Sequence, residues 1–600
     1  MANRRNKSEP QARRPQGLND GQRTEKANGL QLVSHQVGAI PIINRVLQRM
    51  NLHKILQQHL PTEDRRCRVD SARVVMLLIR NVLVSREPIY GVAEWARNYP
   101  PDLFDLWPDQ LEHLNDDRIG RCLDRVFLAL DTNLIMNLVL QVVKEFDLKL
   151  NELHNDSTTV TLTGQYLAAT DEVKLGEQQL PAITWGHNKD HRPDLKQLLY
   201  ILTVSDDGGV PIYFQAASGN VTDDQTHQAT WKIMAELVER PDFVYVADCK
   251  LATTANMNEI ARLGGRFITV LPANRKENKQ FRERLRQQHR ELTAAVTWQE
   301  VLRRTEDRDD GTEIVLDVFR VCRQDHVSKE GYRLLWFHSQ AKAISDAQTR
   351  TRQLQRAERQ LEGLRQRLAG PRPRFRSHGE VTTAVDEILQ TRNVQDLWRF
   401  NIEETEQETF RQTTRGRPTA KTKYQRTVVK RFQLTWRIDT EQMESARAGD
   451  GVFPLISNIR DWSPTEILQA YKRQPTIEKR FSQLKTDFRV APVYLKSVQR
   501  IVGLLSIYFF ALMTQALIER ELRNAMATAD CKSLPLYPEG RACKRPTTRH
   551  VLDVFDTIQR HTLQAAGSDE ITTFMTELSP IHKIVLKLLR IPQSTYRERN

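Results

Sequence analysis

Cysteine is scarce in this 600-residue chain: there are six, and no two form a Cys-x-x-Cys pair. That usage argues against a disulfide scaffold, a zinc ribbon or a secreted module, and it suits a reducing cytosol. The opening stretch MANRRNKSEPQARRPQGLND holds no apolar segment, so no signal peptide is expected. Long hydrophobic runs are also missing, with one exception, the 18 uncharged residues from Ile501 to Ile518. That run contains Ser506, Thr514 and Gln515, falls short of the ~20 residues a span needs, and has no successor, so a buried core helix is expected and no membrane. Acids are outnumbered, 75 against 89 Lys and Arg, which leaves a formal net charge of +14 and suggests a polyanionic partner.

What is present describes a globular chain: 39% hydrophobic and 27% charged residues exclude collagen, mucin and wholesale disorder. The length allows roughly three to five domains. Residues 1–28 carry seven Lys/Arg against three acids and are expected to be a disordered basic arm. Residues 29–150 have a helical pattern. Across Asp116–Leu130, Ile119, Leu123, Phe127 and Leu130 form an apolar stripe while Arg118, Arg121 and Arg125 occupy another side. A DNA-binding helix-turn-helix and a bundle with a solvated arginine face both fit that pattern.

Residues 151–275 then change period. Extended runs at 153–162, 198–204, 210–217, 243–248 and 267–271, with helices before the last two, predict a mixed sheet with helices on its faces. Residues 276–455 bring further strands and a long helix, 341–369, with Leu354, Ala357, Leu361, Leu364 and Leu368 at alternating spacings of three and four. That stripe suits either a second subunit or packing within the same region. Thr409 to Ile438 holds nine Lys/Arg and no acid. Residues 456–528 are helical, and 529–600 are expected to form a helical tail.

Three acids could carry chemistry. Asp156, in HNDSTTVTL, shares a strand face with Val160 and Leu162, where a carboxylate is costly unless paired or metal-bound; the plain alternative is an acid at a strand end facing water. Asp248 ends the run FVYVAD, at the strand edge where α/β sheets gather ligands, or else caps the helix that follows. Glu478 lies seven residues after Tyr471 and seven before Lys485, so an uninterrupted helix would align all three along one ridge. Pro475 interrupts the first interval. An amphipathic helix with exposed charges has the same periodicity.

In this order and spacing the residues resemble the DDE transposases of bacterial insertion sequences, over most of residues 30–560. The third-acid signature of one branch is Tyr, two residues, Arg, three residues, Glu, six residues, Lys. Here it is met by Tyr471, Glu478 and Lys485, with Gln474 at the Arg position and Arg473 beside it. HNDSTTVTLTG, WGHNKDHRPDLKQL (185–198), GNVTDDQTH (219–227), the stretch from Val493 to Leu522 and VGAIPIINRVL (37–47) resemble that branch too. The resemblance implies an α/β, RNase H-like core in two halves, 151–275 and 456–528, separated by an α+β insertion domain at 276–455. It also implies a helical N-terminal DNA-binding domain.

It further implies Asp156, Asp248 and Glu478 as catalytic metal ligands for two Mg²⁺ or Mn²⁺ ions. Carboxylates without a Cys/His cluster suit such hard cations. His187 and His191 stand four apart, but no third ligand completes a zinc site. Phosphate or DNA contacts are expected from Tyr471, Arg473, Lys485, Lys189, Arg192, Arg118, Arg121 and Arg125. Arg415-Gly416-Arg417-Pro418 resembles an AT-hook, adding Arg415 and Arg417. Trp298, Trp336, Trp398 and Trp436 could stack a flipped base or pack a core. The implied function is transposition: binding of element ends, metal-dependent strand cleavage and strand transfer by a homodimer on double-stranded DNA, in a bacterial cytoplasm near the nucleoid. A nuclease of the same fold without strand transfer, or an inactive DNA-binding derivative, are the alternatives.

Overall fold

A computed structural model describes residues 22–27 and 30–596, except for short stretches at 65, 168, 170–172, 176–177, 292–295, 308–311, 371–374, 492 and 566–570. Most of the expected basic arm, residues 1–21, lies outside the described residues. The chain divides into two compact units, Met1–Phe267 with Ala470–Asn600, and Ile268–Gln469. The expected insertion, 276–455, lies inside the second unit, which extends further at both ends.

In the first unit the central strand is Glu152–Leu162. It pairs antiparallel with Lys196–Ser205, which pairs antiparallel with Pro211–Ser218; on its other side Val244–Ala247 runs parallel. Arg266–Val270, within which this unit ends, comes next in the sheet order. The Asp206-to-Gly209 turn joins the second and third strands. Helix His227–Val238 makes the crossover to the fourth, and Thr254–Arg262 leads to the fifth. This is a mixed sheet with flanking helices, as the alternation of extended and helical runs predicts.

Helix Val498–Thr528 is long and apolar enough to cross a membrane, and it lies mostly buried within this unit. It packs against helices Ile40–Arg49, Ser71–Val84 and Asp116–Ala129 and the strand Pro211–Ser218. Helix Asp116–Ala129 starts where it does because the Asn115 side chain accepts from Arg118 N, with Asp116 and Asp117 favouring the N-terminal dipole. Its approach to the long helix depends on Gly503, where a Cβ would meet the Leu123 carbonyl oxygen at 2.4 Å.

Two expectations about the chain ends are corrected. Gln22–Ala27 is a strand paired with Leu30–Gln36, rather than part of a disordered arm. The tail is not wholly helical: Gln559–Ala565 pairs with Leu30–Gln36 and with Ile571–Met575, completing a four-stranded sheet. Each strand is short, and the pairing of Leu30–Gln36 with Gln559–Ala565 joins residues more than 500 apart in sequence, so local periodicity carries little of the sheet.

In the second unit, residues 268–270 pair antiparallel with Val452–Ser457, followed by Arg333–Ser339, Glu313–Cys322 and Trp298–Asp307. Helix Gln340–Leu368 buries Leu354, Ala357, Leu361, Leu364 and Leu368. Their core also contains Val381, Val385 and Leu389 of helix His378–Thr391 and Ile402, Phe432 and Leu434 of the hairpin Trp398–Gln412/Tyr424–Ile438. The heptad stripe is therefore covered within its own unit and leaves no seam for a second subunit. Trp336 is buried and stacks on Phe281 with ring centroids 3.9 Å apart, and Trp398 is buried as well, so both are core residues.

Candidate active site

Val244–Ala247 and Glu152–Leu162 run parallel with Asn155 opposite Ala247. The next residue on each chain segment is an acid, so Asp156 and Asp248 stand side by side at about one strand spacing, ~4.8 Å. Asp248 does not cap the following helix. Thr253 does, accepting from Asn256 N, while Asp248 Oδ1 accepts from Lys250 N at 2.9 Å.

A third acid joins the pair. Asp223 opens the single turn Asp223–Gln225 ahead of helix His227–Val238. One carboxylate oxygen from each of Asp156, Asp223 and Asp248 lies within 4.8 Å of the other two. The Ser157 hydroxyl donates to Asp223 Oδ1 at 2.5 Å. Lys189 Nζ donates to Asp223 Oδ2 at 3.0 Å and to the Ser157 carbonyl at 2.7 Å, and stands 3.5 Å from Asp156 Oδ1. Two glycines hold the segment that carries Lys189: a Cβ on Gly186 would meet Gly219 O at 1.9 Å, and one on Gly219 would meet Gln197 O at 2.2 Å. Asn188, buried beside them, donates to Gln197 Oε1 at 2.8 Å.

The electrostatics follow from crowding acids around one lysine. Burial, reinforced by Asp248 and Asp223, pushes Asp156 up to about 6 against the pull of Lys189. Burial and Asp223 raise Asp248 as well. For Asp223, burial is overridden by Lys189 and Ser157, which hold it below the usual carboxylate range. Three hard oxygen donors with too little positive charge among them fit a divalent cation, and no sulfur or imidazole takes part.

Glu478 lies on helix Pro475–Ser482, is exposed, and falls outside this close group. Of the expected trio, Asp156 and Asp248 stand at close range together with Asp223, and Glu478 lies outside that close group. Tyr471 connects the two regions. Burial, with Asp248 and then Glu478 nearby, pushes its hydroxyl up to about 12. Pro475 does separate Tyr471, at the end of helix Pro464–Tyr471, from the helix of Glu478.

The Glu478 helix is fixed from its opposite side. Lys479 Nζ and Arg480 Nη1 reach Glu519 Oε2 of the long helix at 2.9 and 3.0 Å, and Arg480 also donates to the carbonyls of Gly208 and Gly209 at 2.8 Å. Gln474 turns inward, its Oε1 2.9 Å from buried His154 Nδ1, while His154 Nε2 is 2.8 Å from Glu152 Oε1.

Comparison with known families identifies the core. Residues 151–514 match the family described as "Transposase DDE domain". The chain belongs to the DDE transposase family. Residues 32–140 of this transposase match a "Domain of unknown function (DUF4277)". No curated protein matches the sequence. Among solved structures, a piggyBac transposase in a synaptic complex with hairpin DNA aligns at 8% identity, over 86% of this chain and 77% of that one, with a TM-score of 0.33.

The remaining expected contacts of this transposase divide sharply. Arg118 is buried, donating to Val69 O and Glu63, and Arg125 lies 3.7 Å from the same Glu63, so the arginine face is partly internal structure and Arg118 is withdrawn from the DNA-contact set. Arg121 is exposed. Arg473 is also withdrawn, because its guanidinium grips both oxygens of buried Glu152. Arg192 pairs with Asp194 at 2.7 Å on the surface, and Lys485 with Asp190 at 2.6 Å beside the Lys189 segment. Arg415 and Arg417 are exposed at the tip of the second unit's hairpin. Asp223 is the residue sequence reasoning missed. GNVTDDQTH contained it, but two adjacent acids before a helix read equally well as first-turn charges.

Proposed function

We propose that this transposase binds the duplex ends of a mobile element and cuts and joins DNA strands at the Asp156–Asp248 site. The observation that carries the reading is the parallel register that sets these two acids side by side, with Asp223 within 4.8 Å of both. Glu478 is the remaining donor, exposed on a helix whose charge reaches the same tyrosine as that of Asp248. DDE transposases use divalent metals, and we assign two Mg²⁺ or Mn²⁺ ions to these carboxylates. When bound, such ions activate an attacking oxygen and stabilise a leaving oxygen in an in-line displacement at phosphorus.

The chain's own residues bind and orient. Lys189, the cation on the cluster, is free to exchange its carboxylate contacts for a phosphate oxygen. Tyr471, held protonated at neutral pH, donates a hydrogen bond to the same backbone. In the first step water attacks phosphorus at the element's end, the bond to the 3′-oxygen breaks, and that oxygen leaves as a hydroxyl. In the second, this 3′-hydroxyl attacks a phosphorus of target DNA and displaces the target strand's own 3′-oxygen. Joining two ends in concert calls for two active sites, hence a homodimer on DNA, in the bacterial cytoplasm.

The test offers the full-length protein both an element-end duplex and a target duplex with Mg²⁺ or Mn²⁺. Joined product is expected. Asp156→Ala, Asp248→Ala and Glu478→Ala should each abolish cleavage while end binding persists. Cleaved ends without joined product would support a nuclease instead, and cleavage by any of the three variants would remove that residue from the site.

A further inference from the structure

We infer that the hairpin Trp398–Gln412/Tyr424–Ile438 is a DNA-gripping arm whose tip enters the minor groove of an A·T-rich duplex. The inference rests on the transposase reading only in taking DNA as the partner.

The arm's build is the first argument. Its two 15-residue strands pair in unbroken register from Trp398↔Ile438 to Gln412↔Tyr424. Only the base is anchored: Ile402, Phe432 and Leu434 are buried, while 403–411 and 424–428 are exposed throughout. The ten residue steps from Ile402 to Gln412 reach about 34 Å, further than the ~12 Å and ~6 Å grooves of a duplex are wide together. A free ribbon of that length stabilises nothing within its own unit.

Charge is the second argument, and it is segregated along the arm. Two cations of the stem are neutralised across the ribbon, Lys430 at 2.5 Å from Glu404 and Arg426 paired with Glu408, and Arg431 bonds to Gln407 Oε1 and the Gly370 carbonyl. The cations of the tip, Arg411, Arg415, Arg417, Lys421 and Lys423, have no carboxylate partner among the described residues. Between Thr409 and Ile438 the sequence offers no acid. Solubility alone would not require the stem to be balanced and the tip left bare; a polyanion docking at the tip does.

The shape of the tip suits the same partner. Gly416, between the two arginines, has a φ of +138° and nothing within 4 Å of where a Cβ would be. The Arg415-Gly416-Arg417 segment is therefore slim enough for a narrow groove, whose strong negative potential draws arginine. Beside it, Phe410 and Tyr424 lie on one face of the ribbon, diagonal across the last three pairs, 61% and 50% exposed. Aromatic rings held in water next to unpaired arginines suit contact with sugar and base edges.

The experiment measures binding of full-length protein to two 30-bp duplexes, one with a central A·T tract and one wholly G·C, over a range of salt. Tight binding to the A·T duplex is expected, and a minor-groove drug such as netropsin should compete it away. Arg415→Ala with Arg417→Ala should lower the slope of log affinity against log salt by about two and weaken binding roughly fiftyfold near 0.1 M salt. Phe410→Ala with Tyr424→Ala removes no charge, so it should weaken A·T binding about tenfold with the slope unchanged. Equal affinity and slope in the arginine variant, or equal binding to the G·C duplex, would overturn the arm. A wild-type protein that binds neither duplex would overturn the arm as well, whereas the transposase reading fails separately, if an element-end duplex with Mg²⁺ yields no cleaved or joined product.

Discussion

The Glu519→Gln substitution tests how the Glu478 helix is held. Glu519 is buried, and its two oxygens take Lys479, Arg480, the Gln483 amide at 3.1 Å and the Thr548 backbone N–H at 3.3 Å. Burial alone would raise this carboxyl; Arg480, Lys479 and Arg523 override it and hold it down at about 2. Measured from an ordinary value of 4.5, that depression corresponds to about 3 kcal/mol of stability. Because the folded value is the lower one, this stability is present above pH 4.5 and is lost as pH falls toward 2. Glutamine keeps the shape but leaves buried Arg480 without its counter-charge, a loss of about 3–5 kcal/mol. For a unit of roughly 400 residues the unfolding entropy is about 0.8 kcal/mol/K, so the thermal midpoint should fall by about 4–6 °C at neutral pH. Calorimetry of both proteins from pH 7 to pH 3 checks it. The gap should narrow below pH 4.5; no gap at pH 7, or one constant with pH, would refute the argument.

Three further outcomes are expected. Asp156 is raised to about 6 from 3.8, so in metal-free protein its ionisation costs up to about 3 kcal/mol as pH rises through that interval. Asp156→Asn should therefore raise the metal-free thermal midpoint at pH 8 by about 3 °C while abolishing cleavage, and a lowered midpoint would count against the crowded site. Asp223→Ala should raise the Mg²⁺ concentration needed for cleavage about tenfold or more with DNA binding intact; an unchanged metal titration would show that Asp223 is no ligand. Gly503→Ala places a Cβ 2.4 Å from the Leu123 carbonyl and should destabilise the first unit by about 1–3 kcal/mol, seen as a lower thermal midpoint without change in the salt dependence of DNA binding.

Much of the core was legible in sequence because its strands are long and strongly patterned. The Asp156 strand, the Asp206-to-Gly209 turn and the two crossover helices gave the order of the mixed sheet, and the charge-free run at 501–518 marked the central helix. The convergence of Asp156 and Asp248 was inferable only as an ordered motif; side by side they depend on a parallel register that pattern does not encode. Asp223 was hidden for a related reason, since a one-turn helix leaves no periodic trace and its neighbour Asp224 reads the same. Arg118 and Arg473 illustrate the opposite failure. Both look like DNA contacts in a basic chain, yet Glu63 and Glu152 lie far off in sequence and claim them through burial. The terminal sheet escaped notice because Leu30–Gln36 and Gln559–Ala565 become recognisable as strands chiefly through each other.

The central claim is that acids from two parallel strands and one later helix surround the same cation. Localised hydroxyl-radical cleavage measures this directly: full-length protein is loaded with Fe²⁺ in place of Mg²⁺, treated with ascorbate and peroxide, and its backbone fragments are mapped by mass spectrometry. Cuts clustered around Asp156, Asp223, Asp248 and Glu478, all suppressed by excess Mg²⁺, are the result expected. Suppressible cuts confined to other positions, or their absence near Glu478 while the strand acids are cut, would contradict it.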